Sequence, residues 1–334
     1  MAISTESSSI NSYYVSIEQK LTITEEKLRE IPDDGEMIRE FESEKKEVTA
    51  MSNVKYFLQL FKNMADDEEG QFELFLNLLG NVNEKRVHGK FSFFVKSANY
   101  FTQHDYVFEE NEDSWGDDIC SANEFFNAKR KFILDGKFTV EMKGILIFED
   151  TEIPKVIYES STLCQALWQR DDKDFKFNVG NEGSIMIHKV VLASRSNHFE
   201  NMLKSGMKES ISNTLEIIDF HLDTAKLAVE FFYDRNIFES LSFVDAFELL
   251  RFADKYNIAD LQDKLELHLI YQLSPSAICT LANGSISSNS EKLRQICFNF
   301  LMICLRHAIP VDNIGDLNST FAAEIFQKAL SPAS

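Results

Sequence analysis

Seven histidines, at 88, 104, 188, 198, 221, 268 and 307, and five cysteines, at 120, 164, 279, 297 and 304, are the obvious candidates for chemistry. Their spacing leads to none. A helical zinc site needs two histidines four residues apart, as in H-E-x-x-H, and no pair is so placed. No cysteines form C-x-x-C, and an odd, scattered set suits free buried thiols in a reducing compartment. There is no G-x-S-x-G turn for a serine nucleophile, no glycine-rich phosphate loop, and no carboxylate pair beside a candidate nucleophile. His188 has the type of a general base, but it opens the apolar run Val190-Val191-Leu192, where a histidine anchors a helix start. The expected catalytic, metal and cofactor sets are therefore empty, and the chain reads as a non-enzyme.

Composition narrows the partners. The 334 residues suffice for about two domains, each with its own core. Hydrophobic residues are 44% and charged residues 26%, which is ordinary for a globular protein. With 29 phenylalanines against 2 tryptophans, aromatic-rich β layers or helix interfaces are expected. A net charge of -20 disfavours nucleic acid and anionic lipid, so neither is expected as a partner. The start, MAISTESSSINSYY, lacks the basic and apolar regions of a signal peptide, and no run of about 18 apolar residues occurs. Cytoplasm, nucleus or both is the expected location.

The elements that must carry these residues change character along the chain. Residues 1–9 are expected to be disordered. Tyr14-Val15-Ser16-Ile17 and Lys20-Leu21-Thr22-Ile23 alternate as one or two short strands. The charged stretch 24–46 reads as a surface loop or short exposed helix around a turn at 32–35. Short apolar-rich runs follow at 54–60, 72–78, 90–95, 106–108 and 137–142, the first two separated by an acidic turn at 65–70. Many short strands with polar turns argue an antiparallel β-sandwich. After a linker at 149–160 the period becomes helical at 161–168, with Ser161 as N-cap. A hairpin joins strands at 174–179 and 184–187 through Gly180-Asn181-Glu182-Gly183. A helix begins at Val190, a third strand covers 215–218, and helices follow at 224–233, 245–256, 259–269, 277–282 and 293–301.

Particular residues add a resemblance to this outline. Ser114-Trp115-Gly116, a helical stretch near 121–126, and Phe132-Ile133-Leu134-Asp135-Gly136-Lys137-Phe138-Thr139-Val140-Glu141 resemble a MATH (TRAF-like) domain over about residues 10–148. The tryptophan that the family carries in the strand near Tyr56 is absent. Asp174, His188-Lys189, Leu192-Ala193-Ser194-Arg195-Ser196, Phe199, Met207-x-Glu209-Ser210, Phe232-Tyr233 and Ala253-Asp254-Lys255-Tyr256 resemble a BTB/POZ domain over 161–270. Tyr233-Asp234-Arg235 departs from the usual Tyr-Thr-Gly. Residues 274–330 resemble the short post-BTB helices (three-box, or start of a BACK domain). The implied architecture is multidomain: an all-β MATH/TRAF-like antiparallel sandwich, an α+β BTB/POZ domain and a short C-terminal helical segment.

That resemblance implies a function in protein assembly. In the MATH-BTB family a groove on the sandwich holds an extended target peptide, and Phe75, Phe91, Tyr106 and Trp115 match its lining. Phe75 and Phe91 could equally be core. Asp117 stands where the family places an aromatic, which implies a different ligand, one tolerating or preferring a basic residue. Leu163, Leu167 and Trp168 match the face that pairs two subunits, with intramolecular core as the alternative. Met207 and Glu209 match the hydrophobic-x-Glu motif that docks a cullin. The implied role is a substrate-recruiting adaptor of a cullin-RING E3 ubiquitin ligase, a homodimer with a protein substrate. A BTB dimerisation scaffold without cullin binding, or a decoy with a degenerate groove, stands as the alternative.

Overall fold

The structure is a computed structural model, and it describes residues 12–30, 40–49, 51–63, 70–80, 86–108, 114–149, 154–156 and 161–331. The segment 1–9, the turn at 32–35, the acidic turn at 65–69 and most of the linker 149–160 lie outside the described residues. The chain divides into two compact units. One takes residues 1–153 with 299–311 and 319–334; the other takes 154–298 with 312–318. This division cuts across the expected helical segment 274–330.

The first unit is built from strands whose apolar side chains alternate. In order along the chain they are β1 (Tyr13–Thr24), helix α1 (Glu25–Arg29), β2 (Glu40–Glu42), β3 (Lys46–Val48), β4 (Met51–Asn63), β5 (Gln71–Leu79), β6 (Val87–Val95), β7 (Tyr100–Phe108), β8 (Ser114–Ser121), helix α2 (Ala122–Phe125), β9 (Ile133–Leu134) and β10 (Lys137–Phe148). One antiparallel sheet runs β1-β10-β6-β7 with β9 on β10, and the other runs β2-β4-β5-β8 with β3 on β4. Alternate residues of β5 (Phe72, Leu74, Leu76, Leu78) and of β10 (Phe138, Val140, Met142) are fully buried, which makes a sandwich core. The segments expected as one or two short N-terminal strands form one twelve-residue strand, paired with β10 from Tyr13↔Phe148 to Thr24↔Lys137. The charged stretch 24–46, expected as a surface loop or short exposed helix, holds the short helix α1, whose Leu28 is buried, and also β2.

The second unit begins with α3 (Thr162–Trp168), followed by β11 (Phe175–Val179), β12 (Gly183–Ile187), α4 (Lys189–Arg195), α5 (Asn197–Lys204), α6 (Lys208–Ser212), β13 (Thr214–Glu216), α7 (Leu222–Phe232), α8 (Phe243–Lys255), α9 (Ala259–Ile270) and α10 (Ile278–Ser287). Helices α11 (Glu291–Arg306) and α12 (Ser319–Leu330) complete the chain. The sheet order is β12-β11-β13, with the expected hairpin antiparallel and β13 parallel to β11. Phe199 is fully buried, stacked on Tyr256 at 5.0 Å and close to Phe177 and Phe232. Helices α8 and α9 part at Asn257, whose φ of 50° stops the first helix.

Candidate interaction sites

In the first unit the chemistry-bearing side chains gather where the two sheets end. Strands β7 and β8 are edge strands of different sheets, so each leaves one row of backbone groups unpaired by its own sheet. Trp115 pairs in register with Leu76, and Asp117 with Leu74, so both face the side of β5 that carries the core. On β7 the inward set is Tyr100, His104, Tyr106 and Phe108. Tyr106 and Trp115 stack across the gap, with ring centroids 3.9 Å apart and planes 9° apart. Trp115 remains 40% exposed. Gly116 is required between these residues, because a Cβ there would lie 1.9 Å from the Leu74 carbonyl oxygen. β8 can follow β5 this closely only with glycine at that position.

Two further residues join this site that sequence alone did not single out. Burial pushes the Tyr100 phenol up to about 12, and the nearby Asp117 carboxylate adds to the rise. Burial lowers the His104 imidazole, while the same Asp117 acts in the opposite sense. Asp117 thus lies at the mouth between the edges, within electrostatic reach of both. His104 stacks on Phe91 at 5.1 Å, and its Nε2 is 3.1 Å from Thr102 Oγ1.

The other two expected lining residues lie elsewhere. Phe91 is fully buried against Phe93, His104 and Phe108, so it is core beneath the site rather than wall. Phe75 faces outward on β5, opposite Gly116, and stacks on Phe61 at 5.2 Å. It sits on the opposite face of the sheet from Trp115 and Asp117. An aromatic in a strand has the same local pattern in a core, on an outer face or in a groove, and only the register separates them.

In the second unit the motif residues tie elements together. The Asp174 carboxylate accepts from the backbone N–H of Lys189 at 2.8 Å and starts α4. His188 is 7% exposed; its Nδ1 is 2.7 Å from the Tyr233 hydroxyl and its Nε2 is 3.2 Å from Asp172 Oδ1. The Tyr233 hydroxyl also accepts from the His188 backbone N–H, and burial raises its phenol above the usual range. Ser196 Oγ caps α5 and donates to the Tyr256 carbonyl at 2.5 Å. Arg195 donates to the Phe232 carbonyl, to Asp260 at 3.0 Å, and to Asp234. The departure at Asp234 therefore brings its own partner.

Two surfaces of this unit stay open. No residue of α3 is buried, and Leu163 is 66% exposed. Ser161 caps the helix by accepting from the Cys164 N–H. Trp168, at the other end, is engaged within the unit: it meets Tyr233 edge-on at 5.3 Å, and the Arg235 guanidinium lies 4.8 Å over its ring. A hollow of about 600 Å³ opens beside it, between Gln165 and Arg235. Met207 precedes α6 and is 65% exposed, although its backbone is held by Ser205 and Ser210. Ile211, one turn on, is 76% exposed and had no signal of its own in the sequence. Glu209 is half-buried on the same helix.

Burial raises the thiols of Cys120 (to about 12), Cys164, Cys279 and Cys297, which keeps them in the inert protonated form. Among the described residues no group of three or more His, Cys, Asp or Glu could hold a metal ion. No described helix is long and apolar enough to cross a membrane.

The BTB/POZ domain family model matches residues 164–273. TD and POZ domain-containing protein 3 of Mus musculus is 35% identical over 133 residues, 40% of this chain and 35% of that protein. TD and POZ domain-containing protein 2 of Mus musculus is 24% identical over 286 residues, 80% of this chain and 78% of that protein. BTB and MATH domain-containing protein 42 of Caenorhabditis elegans is 26% identical over 190 residues, 55% of this chain and 45% of that protein. The chain spans 35% to 57% of the length of the first curated relatives it matches.

Proposed function

We propose that this chain, with a BTB/POZ domain at 164–273 behind a MATH-like β-sandwich, is the substrate-recruiting adaptor of a cullin-RING ubiquitin ligase. The kinship with BTB and MATH-BTB proteins makes it a protein-interaction adaptor; the ligase role is the finer step. The observation that carries that step is Met207, a large apolar side chain left 65% exposed at the start of α6, with Glu209 two residues on. A flexible thioether fills an irregular apolar notch on a partner helix, and the carboxylate pairs at its rim. Ile211 extends the same helix surface.

The remaining parts follow from that role. The site between β7 and β8 holds the target protein as an extended segment, using backbone groups of an open edge and the Tyr106–Trp115 pair. The α3 face, with Leu163 and Leu167, pairs two copies about a two-fold axis. Catalysis is by proximity: the adaptor raises the local concentration of target at the ligase and transfers nothing itself. The test is a pull-down with the N-terminal domain of the BTB-binding cullin. Wild type is expected to bind and the double variant Met207→Glu, Glu209→Ala to lose binding. A wild-type chain that dimerises but captures no cullin fits instead a BTB scaffold.

A further inference from the structure

The sandwich carries a carboxylate where its groove would be expected to be apolar, and the surroundings of that carboxylate suggest what it meets. Asp117 faces the gap between β7 and β8, on the same side as the Trp115 ring, two residues before it. Its Oδ1 accepts from the neighbouring Asp118 N–H at 2.9 Å. Among the described residues neither Asp117 nor Asp118 is in an ion pair, and three cations of this unit have partners of their own. Lys90 pairs with Asp105, Lys96 with Glu141 and Arg130 with Glu124. Asp118 lies on the other face, opposite Glu73, a like charge that supplies no compensation.

The other half of the surface is aromatic. Trp115 is stacked on Tyr106 and 40% exposed, so it offers a ring beside an uncompensated carboxylate. A π face and a carboxylate side by side match the aliphatic stem and cationic head of lysine or arginine. The two unpaired strand edges match an extended backbone. We propose that this groove selects an extended peptide segment carrying a basic residue seated against Trp115 and Asp117. This rests on the groove reading above and names the class of target it takes.

The test is a positional-scanning set of fluorescein-labelled extended peptides, each with one position occupied by Arg, norleucine or Glu, titrated against the full chain. At one position Arg is expected to bind about tenfold or more tightly than norleucine, the worth of a charge-assisted contact. That preference should vanish in Asp117→Asn and turn toward Glu in Asp117→Arg, and added salt should weaken the Arg peptide more than the norleucine one. Asp117 is exposed, and circular dichroism checks that the variants fold. Equal affinity for Arg and norleucine at every position, with binding still lost in Trp115→Ala, would overturn the basic selection and leave the groove standing. Failure of wild type to bind any peptide in the set would overturn the groove reading itself, and this inference with it.

Discussion

Asp234 stands where the BTB resemblance leads one to expect threonine, and it has a positive φ of 53°. The Arg195 guanidinium and the Cys164 thiol both donate to its carboxylate. Burial alone would raise this group, but those two contacts hold it below the usual carboxylate range. Its contribution is therefore present above the ordinary aspartate value and lost as pH falls through the lower folded value. Asp234→Asn should cost about 1 kcal/mol in chemical denaturation at neutral pH, and the gap to wild type should narrow in acid. Ser196→Ala should cost about 1–2 kcal/mol, because one hydroxyl both caps α5 and ties it to Tyr256. Such residues make the BTB pattern legible from sequence, since each polar type sits at a fixed spacing to close one turn. Asp117 drew notice for another reason, as a carboxylate where the MATH resemblance places an aromatic. Tyr100 and His104 were not legible, because their nearness to Asp117 arises only when the edges of two different sheets meet.

Elements were read in proportion to their periodicity. β5 alternates cleanly and was expected almost residue for residue at 72–78, whereas only the first half of β10, 137–142, was expected. β8 was not expected as a strand: Ser-Trp-Gly-Asp-Asp has no apolar alternation, and a bulge shifts its register between Phe72 and Glu73. β2 and β3 are three-residue, charge-rich strands, held by pairing with β4 rather than by their own pattern. In α10 a glycine hides a packing constraint. A Cβ at Gly284 would come 2.0 Å from the Phe247 ring of α8. Helix propensity favours Gly284→Ala by about 1 kcal/mol, whereas overpacking costs about 1–3 kcal/mol. Overpacking should win, and thermal unfolding of Gly284→Ala should show a lower Tm. Trp115→Ala touches a half-exposed edge, so it should leave Tm close to wild type while abolishing peptide capture.

At the scale of the whole molecule, the proposed adaptor uses two open surfaces in the unit that matches the BTB/POZ model and one in the sandwich. Leu163, matched to a pairing face or to core, and Met207, matched to a docking motif, are exposed, while Phe91, offered equally to the groove and to the core, is buried. Leu163→Glu should convert the expected dimer to monomer without unfolding it, since the side chain is 66% exposed. The most direct test of the account is the mass of the full chain, by size-exclusion chromatography with light scattering, with and without the cullin N-terminal domain. The account predicts a dimer that gains one cullin domain per chain and loses that gain in the Met207→Glu, Glu209→Ala variant. A dimer whose mass is unchanged by excess cullin domain would contradict it.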